Sequence, residues 1–400
     1  MKFLIKTLGC KVNWLDSARI ATALESVGHQ QVMNDDEAEM VFINSCTVTA
    51  EADRKSHQFA NKTLNLQKDV IVTGCSTRVD GGSWSARSDD SIMVLQDELA
   101  IFNRFDIDPD EVPFPVTSRT RLPISIQTGC DNECSFCITR LARGKHQNIP
   151  EKQVIDQIKH AIDEGVREVV LTGINLAAWG SENSNNASSS HLHRLLEAIL
   201  SKTTIERIRF SSLGPQYIQQ PFFDLFADSR VCDYLHVSMQ SGSNSVLDRM
   251  VRGHGTEEIA KIAEMARKVR PNTAVAADII AGFPGETDSE HQETVDFIQQ
   301  IGFSKLHVFP YSEREGTPAA DHSDPIERKL RKERAKEIRG IALNLRKTYI
   351  QEQMGRNFSI LAEEGGHGLT SNYIRVRCDG AKQGEITTVT LNEETLAEKI

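Results

Sequence analysis

The sequence contains no long apolar run. Nothing in its 400 residues approaches the roughly 18 apolar residues that a membrane-spanning helix needs. Near the start, Phe3, Leu4 and Ile5 are cut off by Lys6, whereas a signal peptide needs an apolar run of about 7–15 residues. We therefore expect no contact with a membrane, no lipidation of Cys10, and a cytoplasmic protein.

An excess of positive charge is also missing. The formal net charge is -10 and the sequence pI is near 5.7, which is not typical of a chain that coats nucleic acid. Any contact with RNA must then come from a local basic patch. The richest patch is the amphipathic stretch 326–349, although its composition alone favours a solvated surface helix.

Cysteine, in contrast, is plentiful. The chain has eight cysteines, at positions 10, 46, 75, 130, 134, 137, 232 and 378. Without a secretory signal a disulfide framework is not expected, and grouped cysteines more often hold metal or carry out redox chemistry. Cys232 and Cys378 fit no cluster: Cys232 precedes a strand and is predicted to be a packed thiol, Cys378 lies in the tail, and neither is assigned a role.

Residues 1–117 show alternating strands and helices. The strands FLIKTLG, MVFINSC and DVIVTGC alternate with helices predicted over 17–27 and 50–64, which indicates a small parallel α/β domain. Each strand ends at a cysteine, namely Cys10, Cys46 or Cys75. Such strand ends share one edge of a parallel sheet, where open α/β sheets bind ligands. The alternative is three unrelated core thiols.

The rest of the chain divides into two further domains. In residues 118–350 six strands alternate with helices, which predicts an α/β domain with a partial (β/α)6 barrel. Short β stretches in residues 351–400 predict a small C-terminal β-barrel. Between the first two domains, GGSWSARSDD indicates a turn-rich connection and DPDEVPFPVTSRT an extended linker.

The densest cysteine motif is GCDNECSFC, which contains Cys130, Cys134 and Cys137 directly after the first barrel strand. Structural zinc requires four ligands, and the only further candidate is the more distant His146. Three cysteines suit a [4Fe–4S] cluster in which one iron stays free to bind a small molecule. The spacing favours the cluster and leaves a zinc knuckle as the alternative.

This C-x3-C-x2-C motif resembles the signature of radical S-adenosylmethionine enzymes. The segments TLGCKVN, INSCTVT, VTGC, QTGCDNECSFCITRLARG, SMQSGSNSVLDRM, DIIAGFPGET and YSEREGTPA extend the resemblance, and nearly the whole chain looks like the methylthiotransferases of that superfamily. The tail segment GLTSNYIRV resembles the RNA-binding TRAM module. One departure is GGSWSARSDD, where the family usually has a clearer strand.

The resemblance implies two [4Fe–4S] clusters and S-adenosylmethionine as cofactors. Cys10, Cys46 and Cys75 would hold an auxiliary cluster, and Cys130, Cys134 and Cys137 the cluster that binds S-adenosylmethionine. Contacts to S-adenosylmethionine are expected from Phe136, Gly173, Ile174, Asn175, Ser211, Gln240, Asp278 and Gly282. Contacts to the substrate are expected from Asn13, Asn44, Arg314 and Arg375, with a loop salt bridge as the alternative for Arg314.

Members of the family methylthiolate a tRNA adenosine next to the anticodon or a ribosomal protein aspartate. The segment GCKVN resembles the branch that acts at C2 of N6-threonylcarbamoyladenosine, whereas the isopentenyladenosine branch more often has GCQMN and the ribosomal branch GCPKN. We therefore expect a tRNA methylthiotransferase that is a monomer and takes electrons from a donor such as flavodoxin or ferredoxin. The sister substrates are alternatives, and a non-catalytic zinc protein that binds RNA is a remote one.

Overall fold

The computed structural model describes residues 1–79, 84, 92–115, 120–183 and 185–398. Apart from Trp84, the segment GGSWSARSDD lies outside these residues, and so does the expected boundary near residue 118. Within the described part of the chain, no helix is long and apolar enough to cross a membrane.

The N-terminal domain is a parallel five-stranded sheet with helices on both faces. Its strand order is β2-β1-β3-β4-β5. The elements are β1 (Lys2–Thr7), α1 (Lys11–Ser26), β2 (Gln30–Gln31), β3 (Met40–Ser45), α2 (Ala50–Asn65), β4 (Asp69–Gly74), α3 (Cys75–Val79), β5 (Ile92–Val94) and α4 (Glu98–Arg104). Because both faces are covered, neighbours such as Phe3 and Leu4 are buried in separate clusters, which explains the continuous apolar runs. The three predicted strands are confirmed.

Helix α1 begins at Lys11, six residues earlier than its apolar periodicity predicts. Cys10 has an extended backbone at the helix N-terminus, and the first turn then contains the fully buried Asn13. A buried asparagine hides the helical pattern, since the pattern is read from apolar residues. The amide of Asn13 donates to the carbonyls of Leu8 and Ser45, at 2.9 and 2.8 Å, so burial leaves it with hydrogen bonds.

The second domain is an open half-barrel of seven parallel strands, of which β9 and β10 are the two parts of one predicted strand. It consists of two four-stranded sheets, ordered β7-β6-β8-β9 and β10-β11-β12-β13, in which only β7 is antiparallel. The elements are β6 (Arg121–Thr128), α5 (Thr139–Arg143), β7 (Gln147–Asn148), α6 (Glu151–Asp163), β8 (Glu168–Gly173), α7 (Leu192–Lys202), β9 (Arg207–Phe210), β10 (Ser212–Leu213), α8 (Gln220–Phe226), β11 (Tyr234–Gln240), α9 (Asn244–Arg249), α10 (Thr256–Val269), β12 (Ala274–Ala281), α11 (Asp288–Ile301) and β13 (Lys305–Pro310). The predicted strand IRFSSL is divided at Ser211 into β9 and β10, and the partial barrel is confirmed.

A long helix and an antiparallel sheet complete the chain. The elements are α12 (Arg328–Gln353), β14 (Asn357–Glu363), β15 (His367–Thr370), β16 (Arg375–Arg377) and β17 (Ile386–Thr390). The strand order is β16-β15-β14-β17, and among the described residues no pairing joins β16 to β17. The expected small β-barrel is therefore seen as a four-stranded antiparallel sheet.

The C-terminal sheet is fixed to the amino ends of the core strands by one buried ionic cluster. Glu168 is fully buried and accepts from Arg207 at 2.7 Å and from Arg209 at 2.8 Å. The two guanidinium groups also donate to main-chain carbonyls of the sheet, those of Ser359, Leu369, Thr370 and Ser371. Tyr234 and Tyr373 stack beside this cluster, with ring centroids 4.5 Å apart. The tail is thus part of the packed structure.

Helix α12 presents less basic surface than its sequence suggests. Arg331 and Arg334 are buried, and they pair with Glu313 at 2.7 Å and Glu286 at 2.8 Å. Arg346 pairs with Glu398 in the tail at 2.6 Å. These arginines hold the helix against the core, so the exposed basic residues near its start include Lys329 and Lys332 but not Arg331 or Arg334.

Candidate metal centres

Three thiols meet at the carboxyl edge of the N-terminal sheet. The Sγ atoms of Cys10 and Cys75 lie 3.8 and 3.5 Å from Oδ1 of Asn13. A Cβ placed on Gly9 would come within 2.8 Å of Sγ of Cys46, so the third thiol adjoins the same turn. Cys10 is exposed, whereas Cys46 and Cys75 are buried. The shared site that the strand ends predict is present.

Two glycines make this convergence possible. Gly9 and Gly74 have φ angles of +99° and +97°, in the region that favours glycine. A side chain on Gly9 would also collide with Cys46, and one on Gly74 would collide with Asn44. Both positions directly precede a cysteine, and they turn the chain sharply so that the thiols face one another.

Burial keeps the inner thiols of this site protonated when no metal is bound. It raises the pKa of Cys46 to about 11 and also raises the pKa of Cys75. Metal binds the thiolate, so loading must release these protons and repay the cost of burial.

The second group of thiols lies in the loop after β6. The amide of Cys137 donates to the carbonyl of Cys134 at 3.0 Å, and that of Cys130 donates to Gly144 at 3.0 Å. Gly129 has a φ of +67°, and any Cβ there would overlap the carbonyl of Lys145. The loop is also tied to the end of α9, where Ser135 donates its amide to Met250 at 3.0 Å.

Neither group of thiols has the geometry of a compact zinc site. Four sulfurs at a Zn–S distance of about 2.3 Å in a tetrahedron lie about 3.8 Å apart. Over the residues that the structure describes, which include all six cysteines, in neither trio do all three sulfurs lie within 4.8 Å of one another. His146 is engaged elsewhere, with Nδ1 2.9 Å from Gln127 and Nε2 3.2 Å from Asn148. Wider spacing and three ligands fit an iron–sulfur cluster better than zinc.

A cavity of about 330 Å³ lies beside the second group of thiols. Its walls come from both domains. The core contributes Phe136, Cys137, Gln240 and Asp278 among others, and the N-terminal domain contributes the segment 48–49, just after Cys46. Cys137 thus lines the cavity directly, and Cys46 lies two residues before the wall segment of the N-terminal domain.

The carboxylate of Asp278 at this cavity is paired with two imidazoles. Nε2 of His236 lies 3.0 Å from Oδ1, and Nδ1 of His307 lies 3.4 Å from the same oxygen. Ser212 donates to the other oxygen at 3.3 Å. Burial opposes ionisation, but the two imidazoles outweigh it and lower the pKa of Asp278. The cavity wall thus carries an anionic carboxylate. The sequence predicted Asp278 at this site but not its two imidazole partners.

The residues expected to bind S-adenosylmethionine do not all lie at the cavity. Phe136, Gln240 and Asp278 line it. In the LTGIN turn, the amide of Asn175 donates to Gln127 at 2.8 Å. A Cβ on Gly282 would collide with Arg331 of α12, which assigns that glycine a packing task. The roles predicted for all eight residues stay predictions.

The residues expected to bind the substrate are mostly engaged within the protein. Asn44 donates to the carbonyl of Asn13 at 2.7 Å, and both side chains are fully buried. Arg314 donates to Thr47 at 2.5 Å and lies 3.4 Å from Asp53, which is the loop salt bridge considered as its alternative. Arg375 is exposed on β16. Their substrate roles stay predictions.

Two arginines beside the thiols were not found from the sequence. Nε of Arg143 donates to Sγ of Cys75 at 3.3 Å, and Nη1 of Arg252 donates to Sγ of Cys134 at 3.1 Å. Arg143 belongs to the motif CITRLARG, which the sequence analysis singled out, but its contact with Cys75 was not predicted. A contact between residues 68 or 118 positions apart leaves no periodic signal in the chain.

Known families match both domains. The Radical SAM superfamily matches residues 124–298, and the uncharacterized protein family UPF0004 matches residues 2–95. The radical S-adenosylmethionine methyltransferase TsrM from Kitasatospora setae, solved with cobalamin and a [4Fe-4S] cluster, superposes with a TM-score of 0.55 at 15% identity. The match covers 80% of this chain and 76% of that one, and it concerns the fold alone.

Two named relatives match almost end to end. The threonylcarbamoyladenosine tRNA methylthiotransferase MtaB of Bacillus subtilis is 32% identical over 417 residues, covering 96% of this chain and 92% of that protein. The tRNA-2-methylthio-N(6)-dimethylallyladenosine synthase of Agrobacterium fabrum is 28% identical over 398 residues, covering 91% and 87%.

Proposed function

Because this chain belongs to the tRNA methylthiotransferase family of radical S-adenosylmethionine enzymes, we propose that it inserts a methylthio group at C2 of N6-threonylcarbamoyladenosine next to the anticodon of tRNA. Its cofactors are S-adenosylmethionine and [4Fe–4S] clusters. We further propose a cytoplasmic monomer that takes its electrons from a flavodoxin or ferredoxin.

The observation that carries the proposal is the cavity shared by the two domains. A radical enzyme with a single site needs thiols only on its half-barrel. Here a second trio, Cys10, Cys46 and Cys75, lies on the N-terminal domain, and the segment 48–49, directly after Cys46, forms part of the cavity wall. A second metal centre next to the first suits a reaction that must deliver sulfur to the carbon activated at the first.

Each group of residues has a task in this reaction. Cys130, Cys134 and Cys137 would hold one cluster and Cys10, Cys46 and Cys75 the other. When bound, the clusters and S-adenosylmethionine supply the electron, the 5′-deoxyadenosyl radical and the methylthio group. The C2–H bond has no useful acidity, so the protein has no need of a general base there. Its own residues position the reactants and exclude water.

The cavity lining suits S-adenosylmethionine. Phe136 offers an apolar ring, Gln240 an amide, and Asp278 a carboxylate whose lowered pKa keeps it ionised. An anionic wall complements a sulfonium or ammonium group and can accept from ribose hydroxyls. We propose that these three residues orient the bound molecule beside Cys137.

The choice between the two tRNA substrates rests on GCKVN and on the name of the Bacillus relative, and both favour threonylcarbamoyladenosine. A threonylcarbamoyl group carries a carboxylate, whereas a dimethylallyl group is uncharged. Lys11 directly follows Cys10 in that segment, but burial and the positive charges of Arg121 and Arg209 lower the pKa of its amine.

The test is mass spectrometry of nucleosides from digested tRNA, in a host without its own methylthio activity. With this gene, methylthio should appear on threonylcarbamoyladenosine, and Cys10→Ala should abolish it. A gain on isopentenyladenosine would overturn the substrate assignment.

The purified protein separates the remaining alternatives. A brown protein with broad absorption contains iron–sulfur clusters, whereas a colourless zinc protein would contradict the proposal. Brown protein that changes no tRNA nucleoside would direct the search to a ribosomal protein aspartate. Cys10→Ala should still cleave S-adenosylmethionine, since the thiols of the half-barrel are intact in that variant.

A further inference from the structure

Each group of thiols receives one hydrogen bond from a fixed arginine. Nε of Arg143 lies 3.3 Å from Sγ of Cys75, and Nη1 of Arg252 lies 3.1 Å from Sγ of Cys134. Arg143 is the last residue of α5, and Arg252 follows the end of α9 by three residues. One arginine N–H group therefore lies against a thiol in each of the two trios.

Arg143 is held in place by the opposite domain. It follows Cys137 by six residues, yet its guanidinium reaches α1, where Nη2 lies 2.5 Å from Oδ1 of Asn13 and 2.7 Å from the carboxylate of Asp16. Its side chain is 5% exposed. The guanidinium of arginine stays protonated in proteins, and the carboxylate of Asp16 gives its charge a partner. A permanent positive charge thus lies against the auxiliary thiols.

Arg252 is fixed in a similar way within the half-barrel. Its Nη2 donates to the carbonyl oxygen of Ser238 at 2.8 Å and lies 3.3 Å from the hydroxyl of the same residue. Ser238 is on β11, two residues before Gln240 of the cavity wall. The orientation that points Nη1 at Cys134 is therefore set by the sheet itself.

We propose that Arg143 and Arg252 are positioning residues that set the reduction potentials of the two iron–sulfur sites, each acting on one site. The inference rests on the proposed assignment of the thiols to two clusters. Reduction adds one negative charge to a cluster, and N–H donors and a positive charge at its sulfurs stabilise that charge. Each arginine accordingly raises the potential of its own site.

The experiment is a reductive titration of the reconstituted full-length protein, followed by electron paramagnetic resonance. Signals are assigned with the chain that carries alanine at positions 130, 134 and 137, which retains only the auxiliary site. Arg143→Gln should lower the auxiliary potential by at least a tenfold change in the reduction constant, about 59 mV for one electron, and leave the other site unchanged. Arg252→Gln should do the reverse, and Arg143→Lys should fall between.

Asp16→Asn should shift the auxiliary reduction potential in the opposite direction. A purely structural role of Arg143 does not predict this shift. The substitution removes a negative charge next to Arg143 while keeping the side-chain shape, so the auxiliary potential should rise. If it falls, or if Arg143→Gln moves both sites equally or neither, the inference is overturned. Wild-type protein with iron for only one cluster would instead overturn the proposed two-cluster function, which the iron content reports separately.

Discussion

Replacing Glu168 by glutamine should loosen the C-terminal sheet. The carboxylate is fully buried between Arg207 and Arg209, and these in turn hold four main-chain carbonyls of the sheet. Glutamine has nearly the same shape, so the packing is retained and only the charge is lost. Two buried guanidinium groups would then be left without a counter-charge.

The size of the effect follows from the electrostatics of the cluster. Burial alone would raise the pKa of Glu168, but Arg209 and Arg207 lower it from 4.5 to about 2. At about 1.4 kcal/mol per pH unit, that difference corresponds to roughly 3 kcal/mol. Removing one partner of a buried ion pair costs a similar amount, about 3–5 kcal/mol. Because the folded pKa is the lower one, this stabilisation is complete above pH 4.5 and is lost as the pH falls toward 2.

Hydrogen exchange of peptides from 357–390 measures the free energy of local opening, and urea unfolding measures the global change. The matched control is Glu206→Gln, on the same edge of the core. Its carboxylate pairs with Arg167 at 2.5 Å but is 46% exposed, so its loss should cost less than about 1 kcal/mol. If hydrogen exchange in the sheet is equally fast in the two variants, the buried cluster does not hold the tail and the reasoning is wrong.

Three further outcomes are expected. Gly129→Ala should lower the iron content by about half, because its Cβ would overlap the Lys145 carbonyl in the thiol loop, whereas Gly340→Ala, with open space around it on α12, should leave iron unchanged. Burial lowers the pKa of His254 from 6.5 to about 4, so between these pH values the unfolded chain binds a proton that the folded chain does not. The free energy of unfolding should therefore fall as the pH falls from 6.5 to 4, and the urea midpoint should fall less over this range in His254→Gln than in the wild type. Arg314→Met should speed hydrogen exchange in the segment around Thr47 without changing the fold, since it removes an interdomain hydrogen bond; unchanged exchange would assign that contact no role in docking.

Strand positions could be predicted because each strand is buried on both faces. The apolar runs ending at Cys46 and Cys75 identify two neighbouring strands of a parallel sheet, and parallel strands bring their carboxyl ends to one edge. The trio of thiols then follows from topology. The cysteines of the second trio lie close together in the sequence, so their grouping could be predicted without knowledge of the fold.

The contacts of long polar side chains could not be predicted in this way. The basic residues of α12 have the composition of a surface helix, but Arg331 and Arg334 are buried against carboxylates that lie 18 and 48 residues earlier. The direction of an arginine depends on which distant group it can reach, and one sequence does not record that. The same reason hid Arg143, Arg252 and the imidazoles beside Asp278.

Helix α12 also has a mechanical consequence for how RNA can be bound. Arg331, near its start, packs on Gly282 at the carboxyl ends of the core strands, whereas Arg346, near its end, holds Glu398 of the tail. The helix has 26 residues and so is about 39 Å long. The cavity and the C-terminal sheet are therefore kept apart by a rigid strut, and an RNA that touches both must run along the side of the molecule with its target nucleotide at a set distance from the tail.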